Sequence, residues 1–277
     1  VQFCKKYISL VGMLALLFVL AACSVPGLAG ASPSPAQTLQ NSAQAMSKLS
    51  ATHIDLQAGL SLQSSTSNGG MTFNLAGQGD ATKAGDASVQ LSLGQSPLLG
   101  VISKGQTVYV QLRKGTWYSV SKSQITDSTQ NFFSQSLVTR LEQIMAIVQN
   151  AKLTDHGQES LNGTQLDHIT AVLDQQTLQQ LNTQLSAMMP AKAQNGQSQI
   201  TQASLDLWID QSTSYVHQVI LNLTAQVDAQ AVQHLTGQST GSTSGTLPAT
   251  LKAQLNFSKF NQPINIQAPA NSTPLIP

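Results

Sequence analysis

Residues 54–62 read Ile-Asp-Leu-Gln-Ala-Gly-Leu-Ser-Leu. The apolar side chains fall at every second position, Ile54, Leu56, Ala58, Leu60 and Leu62, which is the period of an extended strand with one face turned to a core. On a helix the same five would land on two opposite sides. Turn residues follow at Ser67-Asn68-Gly69-Gly70, and alternation resumes at Met71, Phe73 and Leu75, so the pair reads as a hairpin. Further strands are expected at Val89, Leu91 and Leu93, across residues 99–102, and at Val108, Val110 and Leu112. They are separated by Gly85-Asp86 and Lys104-Gly105, and together they make an antiparallel meander.

Around this meander the period changes. Ser34 as N-cap and Pro35 at the first helical position precede Leu39, Ala43, Met46 and Leu49, the stripe of an amphipathic helix. Phe133, Leu137, Leu141, Ile144 and Val148, widened by Phe132 and Met145, predict a long helix over about residues 129–150. Asn162-Gly163 marks a second hairpin. A third helix runs from the capping residue Asp174 to before Pro190, with Leu178, Leu181, Leu185 and Met188 on one side. Strands are expected at residues 205–209, 219–227 and 251–257, and polar loops at 191–199 and 236–248.

Charged residues make up only 9% of the chain, against a usual value of about 25%. Gln, Ser, Thr and Asn take their place, so the surface is polar and nearly uncharged. Of the 13 Lys and Arg, Lys5 and Lys6 lie in the first 22 residues, leaving 11 against 12 Asp and Glu. That balance excludes a nucleic-acid partner and electrostatic adhesion to membranes as the purpose of the whole surface.

The N-terminus has the architecture of a secretory signal: Lys5 and Lys6, then an apolar run over residues 8–20 interrupted by Ser9 and Gly12. The run is shorter than the roughly 20 residues of a spanning helix. It ends in Leu20-Ala21-Ala22-Cys23, which resembles the lipobox of bacterial lipoproteins. The resemblance implies cleavage before Cys23 and lipid on its sulfur. Residues 1–22 are then signal peptide, residues 23–36 the lipidated cysteine with a Pro, Gly, Ala and Ser-rich tether, and residues 37–277 one domain. Cys4 leaves with the signal, so the mature chain has neither disulfide nor free thiol. The protein is expected on the extracytoplasmic face of a membrane, inner or outer.

The body resembles the LppX/LprAFG-like lipoproteins, which share a half-barrel fold with the LolA lipoprotein carrier. The resemblance rests on Val108-Tyr109-Val110 followed by Trp117-Tyr118, on Asn162-Gly163-Thr164 followed by His168-Ile169, and on Leu207-Trp208-Ile209-Asp210. It continues through Phe257-Ser258-Lys259-Phe260, Pro263-Ile264 and Ala268-Pro269 as a closing strand. It implies an α+β fold, a curved antiparallel sheet with amphipathic helices packed on its concave face. It also implies an apolar cavity for the acyl chains of a lipid or lipoglycan, with Leu60, Phe73, Leu91, Phe133, Leu137, Ile144 and Leu207 as its candidate lining. The same alternation serves a filled core equally well.

Other constellations carry less. Trp117-Tyr118 suits either a cavity mouth or structural packing beside Gly115. His53, His156, His168, His217 and His234 are far apart in sequence with no metal-ligand spacing, so neither a metal nor another cofactor is expected. Gly237-Gln238-Ser239-Thr240-Gly241 matches the hydrolase elbow but lies in a Gly, Ser and Thr-rich run that is a poor helix start. Ser119-Val120-Ser121-Lys122 matches S-x-x-K without its companion motifs. The expected function is non-catalytic lipid binding or carriage. The alternatives are an envelope sensor with a protein partner and a serine hydrolase using Ser239 or Ser119.

Overall fold

The computed structural model describes residues 33–63, 70–124, 148, 151–188, 198–230 and 245–275. Among the described residues, twelve strands form one sheet: β1 (Ala51–Leu62), β2 (Met71–Thr82), β3 (Ala87–Leu93), β4 (Ser96–Lys104), β5 (Thr107–Leu112), β6 (Trp117–Ser121), β7 (Lys152–Leu161), β8 (Thr164–Val172), β9 (Gln199–Ile209), β10 (Val216–Asp228), β11 (Thr246–Ser258) and β12 (Thr273–Pro274). Their order is β12-β6-β5-β4-β3-β2-β1-β11-β10-β9-β8-β7. Every pairing is antiparallel except that of the two-residue β12 on β6. The sheet is open and curved, and α1 (Pro35–Ser47) and α2 (Gln175–Met188) contribute to the core on its concave face.

The alternating residues of 54–62 all face inward, and cross-strand pairing carries the pattern sideways. Leu56 opposes Leu255 on one side and Gly77 on the other, and Gly77 opposes Leu91, which opposes Leu99. The six-strand meander is thus joined at β1 to a second meander, β7 to β11, whose last strand arrives from some 200 residues away. Asn162 and Gly163 both take positive φ, 53° and 84°, as a type I′ hairpin turn requires.

Helix α1 starts as its sequence dictates. Ser34 Oγ accepts from the Gln37 N–H, and Leu39, Ser42 and Met46 are buried. Pro35 and Ala36, grouped with the tether by composition, form its first turn. The helix is pinned to the β9–β10 turn, where buried Ser42 donates to the Ser214 carbonyl at 2.8 Å. That turn is shaped by Asp210, whose Oδ1 accepts from the N–H and hydroxyl of both Ser212 and Thr213. Asp174 caps α2 by accepting from the Thr177 N–H at 2.8 Å.

Three expectations change. The run 236–248 is not loop throughout, because Thr246 to Pro248 belong to β11 and pair with Asp228, Val227 and Gln226. Strand β9 likewise starts at Gln199, within the expected loop 191–199. The closing strand stops at Ser258: Lys259 and Asn261 take left-handed φ of 52° and 58°, which breaks the ladder. The predicted helix at 129–150 lies outside the described residues save Val148, which is helical and buried.

Candidate functional site

The inner face is not uniform. Toward the strand ends that carry Ala51, Thr82 and Phe257 it is closed: Ile54, Leu56, Leu207, Val219, Leu255 and Phe257 are fully buried together with Leu39 and Met46 of α1. Toward the opposite ends a strip of apolar residues is only half-buried. It runs from Leu93 on β3 to Leu75 and Phe73 on β2, Leu60 on β1, Leu251 on β11 and Leu223 on β10. Leu93 is 38% exposed. At the tips, Leu62 and Ala249 form a separate small cluster with Leu60, Met71, Phe73, Ala225 and Val227.

The residues singled out by sequence divide accordingly. Leu91 and Leu207, 5% and 1% exposed, sit in the main core. Leu60 and Phe73, opposite one another across the β1–β2 ladder, stand in the half-open strip. Phe133, Leu137 and Ile144 lie outside the described residues, as do Cys23 and Ser239. Sequence reasoning passed over Met71, Leu75, Leu93, Leu223 and Leu251 as part of a site. The signal that finds them is parity with register: Met71 and Leu75 alternate with Phe73 on β2, Leu93 pairs with Leu75, and Leu251 and Leu223 continue the row from Leu60.

The aromatic pair Trp117-Tyr118 is split between faces by strand alternation. Trp117 lies over Gly100 on the outer face, so close that a Cβ on Gly100 would meet its ring at 3.0 Å. Tyr118 falls on the inner parity with Val110. Trp208 is also outer: its ring stacks on His168 at 4.3 Å, and His168 stacks on His156 at 4.5 Å. Histidines far apart in sequence are therefore neighbours across β7 and β8, because the strand spacing of about 4.8 Å matches ring stacking. Acidic partners are present too: Glu159 Oε1 lies 3.0 Å from His168 Nδ1, and Asp206 Oδ1 3.5 Å from its Nε2. These are close charge contacts in which neither ring nitrogen meets hydrogen-bond geometry. His168 and the Trp208 N–H hold the Glu159 carboxyl below its usual range. Among the described residues no group of three or more His, Cys, Asp and Glu is placed to hold a metal ion.

Ser119 lies within β6, where its carbonyl accepts from the Leu275 N–H, and Lys122 begins a 3-10 turn after the strand ends. The S-x-x-K spacing therefore does not fall on a helix, where it would bring the lysine under the serine. No helix among the described residues is long and apolar enough to cross a membrane.

Solved structures similar to this chain include lipoprotein LppX from Mycobacterium tuberculosis, 16% identical over 86% of this chain and 100% of that one, with a TM-score of 0.47. LprF from Mycobacterium bovis is 16% identical over 87% and 100%, at 0.46. A LolA superfamily protein from Nitrosomonas europaea is 9% identical over 77% and 86%, at 0.21. None of the curated proteins matches the chain. The LppX_LprAFG lipoprotein family model matches residues 34–266, which takes in both meanders with α1 and α2, and the chain belongs to that family.

Proposed function

We propose that the protein is a non-catalytic lipoprotein, held by lipid on Cys23 at the extracytoplasmic face of a membrane, that carries acyl chains of a lipid or lipoglycan along its concave face. The observation that carries this reading is the half-open strip from Leu93 to Leu223. Strands that continue past the closed core leave apolar side chains of inward parity partly in water, a costly arrangement unless something apolar covers them. An acyl chain does so with a large driving force: a sixteen-carbon chain in water forfeits about 10 kcal/mol at roughly 0.8 per methylene. Membership of a lipoprotein family and the lipobox-like Leu20-Ala21-Ala22-Cys23 support placement at a membrane, where such chains are found.

Native mass spectrometry of the protein prepared without detergent tests the reading. Co-purifying lipid of a defined class is expected, and an empty protein with a stoichiometric protein partner would favour an envelope sensor instead. Cys23→Ala is expected to abolish lipid labelling and release the chain from membranes. A variant that remains membrane-bound and cleaved would overturn the anchor.

A further inference from the structure

The turn between β5 and β6 places two cations where the backbone is least suited to them. Gly115 N–H donates to the Leu112 carbonyl at 2.8 Å, and between them Arg113 and Lys114 both take left-handed φ, 50° and 56°. This I′-like arrangement favours Asn-Gly, because a Cβ at positive φ is strained. The chain uses Asn162-Gly163 for the β7–β8 turn. In a protein with only 13 basic residues, two stand side by side here, both exposed, and neither forms an ion pair among the described residues.

The position of the turn gives the pair a use. It lies at the same margin of the sheet as the half-open strip, and Arg113 N–H donates to the carbonyl of Leu98, on the strand next to Leu93. Two strand spacings, about 10 Å, separate β5 from β3 and its exposed Leu93. Among the described residues, the acidic ones at that margin, Asp174 and Asp228, belong to the other half of the sheet beyond β1. A guanidinium and an ammonium on adjacent turn residues together supply the positive charge and the N–H donors that a phosphate takes.

We propose that Arg113 and Lys114 hold the phosphate of an anionic lipid headgroup while its chains lie along the strip from Leu93 toward Leu223. This rests on the carrier reading and narrows its ligand to a phosphate-bearing lipid.

The test compares the parent chain with the double variant Arg113→Asn, Lys114→Gly, which supplies the favoured turn and so is expected to melt at the same temperature or higher. Uptake from vesicles is followed for pyrene-labelled phosphatidylglycerol and for neutral pyrene-labelled diacylglycerol, with glycerol phosphate as a chain-free control. The parent is expected to prefer the anionic lipid, and the variant to lose at least about tenfold of that affinity, the factor of one charge-assisted hydrogen bond. Its uptake of the neutral lipid should stay unchanged. Equal uptake of both lipids by the parent, or an unchanged preference in the variant, overturns the headgroup role while leaving the carrier intact. Glycerol phosphate binding as tightly as the whole lipid makes the turn a free-anion site and also overturns it. If the parent takes up neither lipid, the carrier reading falls and this inference falls with it.

Discussion

The two ends of the concave face share one sequence pattern and differ in outcome. At the closed end Leu56 and Leu255 oppose one another and are fully buried; along the same two strands, Leu60 and Leu251 oppose one another and remain half-exposed. Parity is identical in both pairs. What differs is company: Leu56 and Leu255 share one buried cluster with Leu39 and Met46 of α1, whereas Leu60 groups with the small cluster at the strand tips. Strand alternation therefore decides which side chains turn inward, and packing of a second layer decides whether inward means dry.

The comparison breaks most visibly on overpacking. Leu207→Trp and Leu91→Trp add a large ring to space that is already filled and are expected to cost about 3 kcal/mol each. Phe73→Trp, where the side chain is half-exposed, is expected to cost about 1 kcal/mol or less. Urea denaturation with an unchanged slope measures the difference. Equal costs at both ends would mean that the strip is as tightly filled as the core. If bound lipid is lost from Phe73→Trp without a change in midpoint, the strip is where the chains lie.

Glycines sharpen the contrast at smaller scale. A Cβ on Gly79, at the closed end opposite Ile54, would lie 2.7 Å from the Ser88 carbonyl oxygen, which is backbone and cannot swing away. On Gly77 it would lie 2.6 Å from Cδ2 of Leu91, a side chain with other rotamers. On Gly59 the nearest atom is Asn74 Oδ1 at 3.7 Å, an ordinary contact. Gly79→Ala is thus expected to cost about 1–3 kcal/mol, Gly77→Ala less, and Gly59→Ala nothing or a gain of about 0.5 kcal/mol from the stiffer unfolded chain. Thermal melts of the three variants give the order directly, with Gly59, which alternates with inward Ala58 and Leu60 and so faces outward beside Asn74, as the outer-face control.

Much of this architecture is legible in the sequence, and the illegible part has a common cause. The hairpins, the caps at Ser34 and Asp174 and the inward parity of Ile54, Leu56, Leu60 and Phe73 rest on signals a few residues long. The start of β11 is less legible: Thr246-Leu247-Pro248 carries a proline and follows a Gly, Ser and Thr-rich run, yet pairing with β10 holds it in the ladder. The histidine stack is likewise set by long-range register, because His156 meets His168 and Trp208 only once β7, β8 and β9 align. The candidate site is the least legible, since Leu91 and Leu60 look alike in sequence and differ in burial, which long-range packing sets.

The smallest expected effect is a pH dependence confined to one end. His217 sits where β10 begins, half-buried and edge-on to the Phe260 ring at 5.2 Å. Burial pushes its imidazole below the ordinary value of 6.5, and the Asp210 charge offsets this only in part. An unfolded chain takes up a proton near that ordinary value while the folded chain resists it, so the unfolded state binds more protons and stability falls as pH drops below about 6.5. The contribution is fully present above that window. Asp86 opens a separate window near 4, because the hydrogen bond from Lys104 Nζ holds its carboxyl below the ordinary 3.8, and the stability this gives is lost as that carboxyl protonates. Between pH 7 and 5, then, amide protection, corrected for the intrinsic slowing of exchange in acid, is expected to fall first at the start of β10 and around Lys259 and Asn261, whose side-chain amide donates to the Tyr215 hydroxyl. The open ends of β1 and β2 should be unaffected, for their inner face carries only Leu60, Leu62, Met71 and Phe73. His217→Phe should remove the response. If protection instead falls evenly across the sheet, the two ends act as one cooperative unit, and the distinction between them is one of solvent contact alone.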